Sequence, residues 1–168
     1  METIQELVGS KPKNMLEAGA YAPAVDLKDT EGNQRSLEQL LATGPVLLAF
    51  FKISCPVCQM TAPFLSRLAK SESVQVVGVS QDDAAATKGF NQRFGVTFPV
   101  LIDEGRAGYP ASNSFGIHSV PSLFLIEPDK SISTAFSGFS KADLATLGSR
   151  MGEPAFQPGE NVPVFKAG

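Results

Sequence analysis

The chain lacks tryptophan, has a single histidine, His118, and has only two cysteines, Cys55 and Cys58. Two cysteines cannot form the set of disulfide bridges on which small secreted domains depend, so any role they have is local. A structural zinc site needs about four cysteine or histidine ligands, which is more than these residues supply. We therefore expect no bound metal ion and no other cofactor.

Long apolar runs and blocks of like charge are missing as well. The longest continuous apolar stretch, Val46 to Phe51, is far shorter than the roughly 18 residues of a membrane span. The net charge of −3 comes from 14 basic and 17 acidic residues spread along the chain, so we expect neither nucleic acid nor a membrane as a partner. The first residues do not form the basic and apolar regions of a signal peptide. The sequence thus indicates a cytoplasmic protein.

The length of 168 residues, 43% of them hydrophobic, is that of one ordinary domain with a core of its own. Glycines and prolines interrupt both ends of the sequence. We expect an N-terminal arm over residues 1–17, a folded domain over residues 18–151 and an irregular tail over residues 152–168.

Strand and helix patterns alternate along the folded domain. Residues 46–51 are apolar without alternation, which is typical of a strand that is buried on both faces. In chain order we expect a hairpin around Gly32, strands at 46–51, 74–79 and 98–102, helices at 56–70, 83–94 and within 107–115, a hairpin of 120–126 with 132–136, and a helix that begins after Ser140. This order predicts an α/β fold with a mixed central sheet between helices.

The two cysteines lie where the buried strand gives way to a helix, in Ser54-Cys55-Pro56-Val57-Cys58. Proline is favoured at the first helical position, so a helix that begins at Pro56 has Cys55 as its N-cap. There the sulfur can accept hydrogen bonds from the N–H groups of Val57 and Cys58 at the positive end of the helix dipole, which favours the thiolate. Cys55 is the candidate nucleophile and Cys58, one turn along, the candidate resolving thiol. Two purely structural cysteines are the alternative at this point.

A resemblance favours the catalytic interpretation. Residues 55–65 resemble the active-site helix of thioredoxins, including a proline, Pro63, inside the helix. An interior proline costs about 3 kcal/mol, so it is not expected there by chance. Residues 115–126 resemble the thioredoxin segment that leads into a strand beginning with a cis-proline, here Pro121.

The same resemblance implies how the site is arranged. Pro121 would lie against the two sulfurs, and the backbone of Val120 would pair with an extended substrate. Phe51, at the position of an active-site tryptophan, and Pro56 complete the implied substrate-binding residues.

Residues 18–27 and 98–103 narrow the family further. Residues 18–27 resemble the start of the domain in the redoxin group, which includes the AhpC/TSA peroxiredoxins and the TlpA- and ResA-like proteins. Residues 98–103 resemble the strand and helix that those proteins insert before the cis-proline. The resemblance implies a thioredoxin fold over residues 18–151, with three α/β/α layers, a mixed central sheet, an N-terminal β-hairpin and the inserted strand and helix. Two positions depart from relatives: Ala49 and Thr61 stand where some of them carry a carboxylate.

The implied activity is dithiol-disulfide exchange by a thiol-disulfide oxidoreductase in which Cys55 attacks and Cys58 resolves. Its partners would be a protein or small-molecule disulfide or dithiol, and an upstream electron donor or acceptor. One alternative is a peroxiredoxin-type peroxidase with antioxidant activity. The reactive cysteine of that class normally follows a threonine or serine by three residues. Here the residue three positions before Cys58 is Cys55, which departs from that pattern. The other alternative is a non-catalytic interaction module on the same scaffold.

Overall fold

The computed structural model describes residues 14–168. Most of the expected arm over residues 1–17 therefore lies outside the described residues. The described part of the arm, residues 14–17, is attached to the domain. Met15 and Leu16 pack against the core, and the N–H of Leu16 donates to the carbonyl of Phe115 at 3.1 Å.

Within this range, the strands and helices follow the order expected from the sequence, apart from two short strands at residues 139–140 and 165–166 that were not expected. The strands are β1 (Asp26–Lys28), β2 (Gln34–Ser36), β3 (Val46–Phe51), β4 (Gln75–Ser80), β5 (Val100–Ile102), β6 (Ser122–Ile126), β7 (Ile132–Ser137), β8 (Phe139–Ser140) and β9 (Phe165–Lys166). The helices are α1 (Leu37–Leu41), α2 (Pro56–Leu68), α3 (Ala84–Phe94), α4 (Pro110–Ser114) and α5 (Lys141–Met151).

The central sheet has the strand order β5-β4-β3-β6-β7. Strands β3, β4 and β5 are parallel to one another, whereas β6 runs antiparallel to β3 and β7 antiparallel to β6. Strands β1 and β2 form a separate antiparallel hairpin. These findings confirm the predicted α/β fold with a mixed sheet and an N-terminal hairpin.

Strand β3 lies at the centre of the sheet, and all six of its residues are buried. Phe50 packs on one face against Phe115 and Phe124, with ring centroids 5.2 and 5.7 Å apart. Phe51 points to the other face and packs against Phe90 of α3 at 4.9 Å. Side chains covered on both faces explain why the sequence of this strand does not alternate, and they give the three layers that the sequence predicts.

Helix α2 follows β3 after a short loop, so its first turn lies at the carboxyl end of the central strand. Its buried stripe packs against the core and contacts α3 and α5. Pro63 stands inside this helix and is exposed. The helix therefore continues through the proline, as the apolar spacing predicts, but it ends at Leu68 rather than near Lys70.

The C-terminal residues differ from the expectation of an irregular tail. Strand β9 pairs antiparallel with β8, Phe139 opposite Lys166 and Ser140 opposite Phe165. A strand of two exposed residues buries no apolar face, so it leaves no periodic pattern in the sequence.

Asp103 holds the segment that leads to the expected cis-proline. Its carboxylate is fully buried just after β5 and accepts hydrogen bonds from the N–H groups of Ala111 and Ser112 at 2.9 and 2.7 Å, and from the Ser112 hydroxyl at 2.6 Å. These bonds satisfy N–H groups at the start of α4, which have no partner within the helix.

Replacing Asp103 with alanine should lower the free energy of unfolding by about 2 to 4 kcal/mol, because it leaves these buried donors without an acceptor. Urea denaturation followed by circular dichroism measures the change. Glu104→Gln, at the next residue, is the matched control and should stay within about 0.5 kcal/mol of the unchanged protein. Equal losses in both variants would show that Asp103 does not stabilise this segment.

Candidate active site

Cys55 is the N-cap of α2, as its position before Pro56 predicts. Its side chain is half-buried, and its sulfur accepts a hydrogen bond from the N–H of Cys58 at 3.1 Å. The thiol donates in turn to the carbonyl oxygen of Val120 at 3.4 Å. Of the two expected donors, the N–H of Cys58 makes the bond. Both cysteines are free thiols, so the site is in its dithiol form.

Cys58 has a different environment, because it lies on the buried stripe of α2 and is only 3% exposed. Burial raises the pKa of the Cys58 thiol well above its ordinary value, and the hydrogen bond with the Cys55 thiol raises it further. Hydrogen bonds with the backbone of Lys52 and of Cys58 itself act in the opposite direction without cancelling the effect. Cys58 is therefore a neutral thiol in the dithiol form.

The loop before β6 forms the other side of the site. The Val120–Pro121 peptide bond is cis, as the resemblance to thioredoxins implies. Strand β6 pairs with β3 so that Ser122 lies opposite Phe50, and this register brings the preceding loop to the end of β3 where α2 begins. The carbonyl of Pro121 accepts a hydrogen bond from the N–H of Gly138 at 2.8 Å, which fixes the loop to the strand beyond it.

The structure places the other substrate-binding candidates differently. Pro56 is exposed at the first position of α2, directly beside Cys55. Phe51 is only 6% exposed, because strand alternation turns its ring inward onto Phe90. The ring of Phe51 thus packs in the core, and its contact with substrate stays a prediction.

Two further residues position the loop that carries the cysteines. The Asp82 carboxylate accepts a hydrogen bond from the N–H of Ile53 at 2.8 Å. The side chain of Gln59 donates to the Ile53 carbonyl at 2.9 Å. Both peptide groups of Ile53 are thus held, and the approach to Cys55 is fixed. Asp82 was not identifiable from the sequence, because it is 29 residues from Ile53 and belongs to no local motif.

The two positions that lack a carboxylate are buried. Ala49 and Thr61 are each 1% exposed, and the Thr61 hydroxyl donates to the carbonyl of Val57 at 2.6 Å. Neither of these two positions therefore supplies a carboxylate to take the Cys58 proton.

A cavity of about 250 Å³ adjoins Val120, and exposed Lys52 and His118 contribute to its walls.

In the described residues, no group of three or more histidine, cysteine or acidic side chains is placed to hold a metal ion. No helix between residues 14 and 168 is both long and apolar enough to cross a membrane.

Comparison with known proteins agrees with this geometry. The family model of the AhpC/TSA family matches residues 18–135. The thiol-disulfide oxidoreductase ResA of Bacillus thuringiensis (strain Al Hakam) is 30% identical over 121 residues, which are 70% of this chain and 68% of that protein.

Solved structures share the fold. The thioredoxin domain of a thiol-disulfide oxidoreductase from Bacteroides vulgatus superposes with a TM-score of 0.71 at 22% identity, over 80% of this chain and 97% of the other. Peroxidoxin BcpB from Mycobacterium tuberculosis gives a TM-score of 0.66 at 27% identity, with the same coverage of 80% and 97%.

The family match covers both cysteines and the cis-proline loop, and the fold around them is that of thioredoxin. The resemblance seen in the sequence is thereby confirmed, and the chain belongs to the AhpC/TSA family as a thioredoxin-like oxidoreductase.

Proposed function

We propose that this thiol-disulfide oxidoreductase exchanges dithiols and disulfides through the pair Cys55 and Cys58, with Cys55 as the nucleophile. The observation that carries the proposal is the contrast between the two thiols. Cys55 is half-exposed at a helix N-terminus, whereas Cys58 is 3% exposed and has a raised pKa. The relative of 30% identity is itself named a thiol-disulfide oxidoreductase, which supports the same chemistry here.

In the reductive direction the thiolate of Cys55 attacks one sulfur of the substrate disulfide. A mixed disulfide forms, and the other substrate sulfur leaves and takes up a proton. Cys58 then loses its proton and attacks the sulfur of Cys55, which releases the second substrate thiol and leaves a Cys55–Cys58 disulfide. The substrate gains two electrons and two protons, and an upstream dithiol returns the pair to its reduced form. The reverse sequence oxidises a substrate dithiol.

The substrate binds, in this proposal, against Val120 and Pro121. The Val120 carbonyl lies 3.4 Å from the Cys55 sulfur, so a peptide disulfide that reaches Cys55 also meets backbone groups able to pair with an extended chain. Pro56, exposed beside Cys55, offers an apolar contact next to the reacting sulfurs.

A cytoplasmic location, expected from the sequence, stays a prediction.

A thiol peroxidase is the competing proposal, because one structure with 27% identity is a peroxidoxin. Peroxide would have to reach a reactive thiolate. Cys58, the residue that would have this role by spacing, is 3% exposed and has a raised pKa. Cys58 therefore does not suit the role of a peroxide-reducing cysteine, which supports disulfide exchange over antioxidant activity.

Limiting iodoacetamide should modify Cys55 of the reduced protein before Cys58 at pH 7. We expect a preference of roughly tenfold or more, since alkylation follows the exposed thiolate fraction, which falls tenfold for each unit by which a pKa exceeds the pH. Cys58 should remain slow even at pH 9, because its pKa is raised by burial. Peptide mapping by mass spectrometry measures both sites. Modification of Cys58 first, or of both at one rate, would contradict the assigned roles.

Cys58→Ser should accumulate a mixed disulfide with an insulin substrate, because the nucleophile remains but the resolving thiol is gone. Cys55→Ser should lose both the adduct and the dithiol-dependent reduction of insulin. Turbidity measures the reduction, and non-reducing electrophoresis detects the adduct. Ser54→Ala, beside the pair and exposed, is the control and should keep full activity. Fast consumption of hydrogen peroxide with no reduction of insulin would assign the protein to the peroxidases instead.

A further inference from the structure

The last residues of the described chain run alongside the candidate active site. Phe165 and Lys166 form β9 and pair antiparallel with β8, the strand that follows Gly138. The N–H of Lys141 donates to the carbonyl of Val164 at 3.0 Å, which extends the same ladder by one step. We refer to residues 165–168 as the terminal segment.

The terminal segment reaches the loop that contains the cis peptide bond. At Gly168 a Cβ atom would collide with the carbonyl of Val120 and would lie 3.1 Å from Cδ of Pro121. The carbonyl of Val120 is the group to which the Cys55 thiol donates at 3.4 Å. The segment therefore covers the surface against which the proposed function places a substrate peptide.

The contact with Gly138, the residue before β8, is also close. A Cβ atom on Gly138 would lie 2.6 Å from the carbonyl oxygen of Lys166 and 3.0 Å from the ring of Phe165. The N–H of Gly138 itself donates to Pro121 at 2.8 Å. One continuous backbone surface, from Ser140 through Gly138 to the cis-proline loop, is thus occupied by the terminal segment.

The part of the tail before this segment is firmly attached. Arg67 of α2 bonds both carboxylate oxygens of Glu160 at 2.6 and 2.7 Å and also donates to the carbonyl of Ala155 at 3.0 Å. Phe156 packs against Phe64 with ring centroids 5.1 Å apart. This attachment is independent of the contacts made by the terminal segment.

The terminal segment itself is attached only at the surface of the domain. All of its residues are exposed, and the ring of Phe165 is 55% exposed. Its contacts are mainly those of backbone with backbone, which another extended chain of different sequence can reproduce. The segment can therefore leave β8 and the cis-proline loop while the tail stays attached at Glu160.

We propose that the terminal segment is an intramolecular occupant of the substrate site, and that an extended segment of a substrate protein displaces it by pairing with β8 and Val120. The inference rests on the proposed function and specifies its substrate class. A disulfide presented on an extended or unfolded chain can replace every backbone contact of the segment. Folded proteins with no extended chain beside their disulfide cannot do so and should be poor substrates.

Two substitutions displace the segment by different means. Lys166→Pro removes a backbone N–H from the pair with β8. Gly168→Val places a side chain where it collides with the Val120 carbonyl. Val164→Ser is the matched control, because it changes a side chain that is 78% exposed just before the segment and keeps its backbone bond.

The first measurement is the alkylation rate of Cys55 by iodoacetamide, which does not depend on any exchange activity. The second is the rate of exchange with an unstructured peptide that carries a disulfide. Both displacing variants should raise both rates by roughly threefold or more, since each rate follows the fraction of molecules in which the site is free. Val164→Ser should match the unchanged protein.

Unchanged alkylation and exchange rates in both displacing variants would overturn the proposal, because the segment would then shield nothing. Faster exchange with a compact folded disulfide protein than with the unstructured peptide would also overturn it. Faster alkylation, with no exchange by any of the four proteins, would uphold the shielding by the segment and overturn the proposed function instead.

Discussion

The bond from the N–H of Cys58 to the sulfur of Cys55, 3.1 Å long, sets the geometry of the active site. It forms because α2 begins at Pro56, directly after Cys55, so that the N–H of Cys58, which has no partner within the helix, points at that sulfur. The same turn directs Cys58 inward, where burial keeps it neutral. One helix start thus places two identical residues in different environments, with Cys55 half-exposed and Cys58 buried.

The parts of this site that the sequence predicts are those that depend on neighbours in the chain. The N-cap at Cys55 and the proline after it are recognisable from a few consecutive residues. The unalternating apolar run of β3 likewise indicated its central place in the sheet. Pro121 was identified by resemblance, because spacing alone does not distinguish a cis from a trans bond.

The parts that the sequence does not predict depend on contacts between distant segments. Asp82 and Asp103 look like ordinary loop acids until the fold brings a backbone N–H to each of them. The packing of the Phe51 ring on α3 was also not predictable, because a residue at a strand end can face either side of the sheet until the register of the strand is known. Strand β9 pairs with β8, and Gly168 after it meets the cis-proline loop, so both contacts join segments that are distant in the sequence.

Because the tail is attached to α2, the terminal segment is held close to its site at any concentration of the protein. Arg67 lowers the pKa of Glu160 to about 2, so this carboxylate stays charged, and able to pair with Arg67, well below neutral pH. A segment tethered so close to its site acts at an effective concentration on the order of millimolar. Diluting the protein does not weaken such an occupant. A competing partner must therefore make several backbone contacts at once, or must itself be present at a high local concentration.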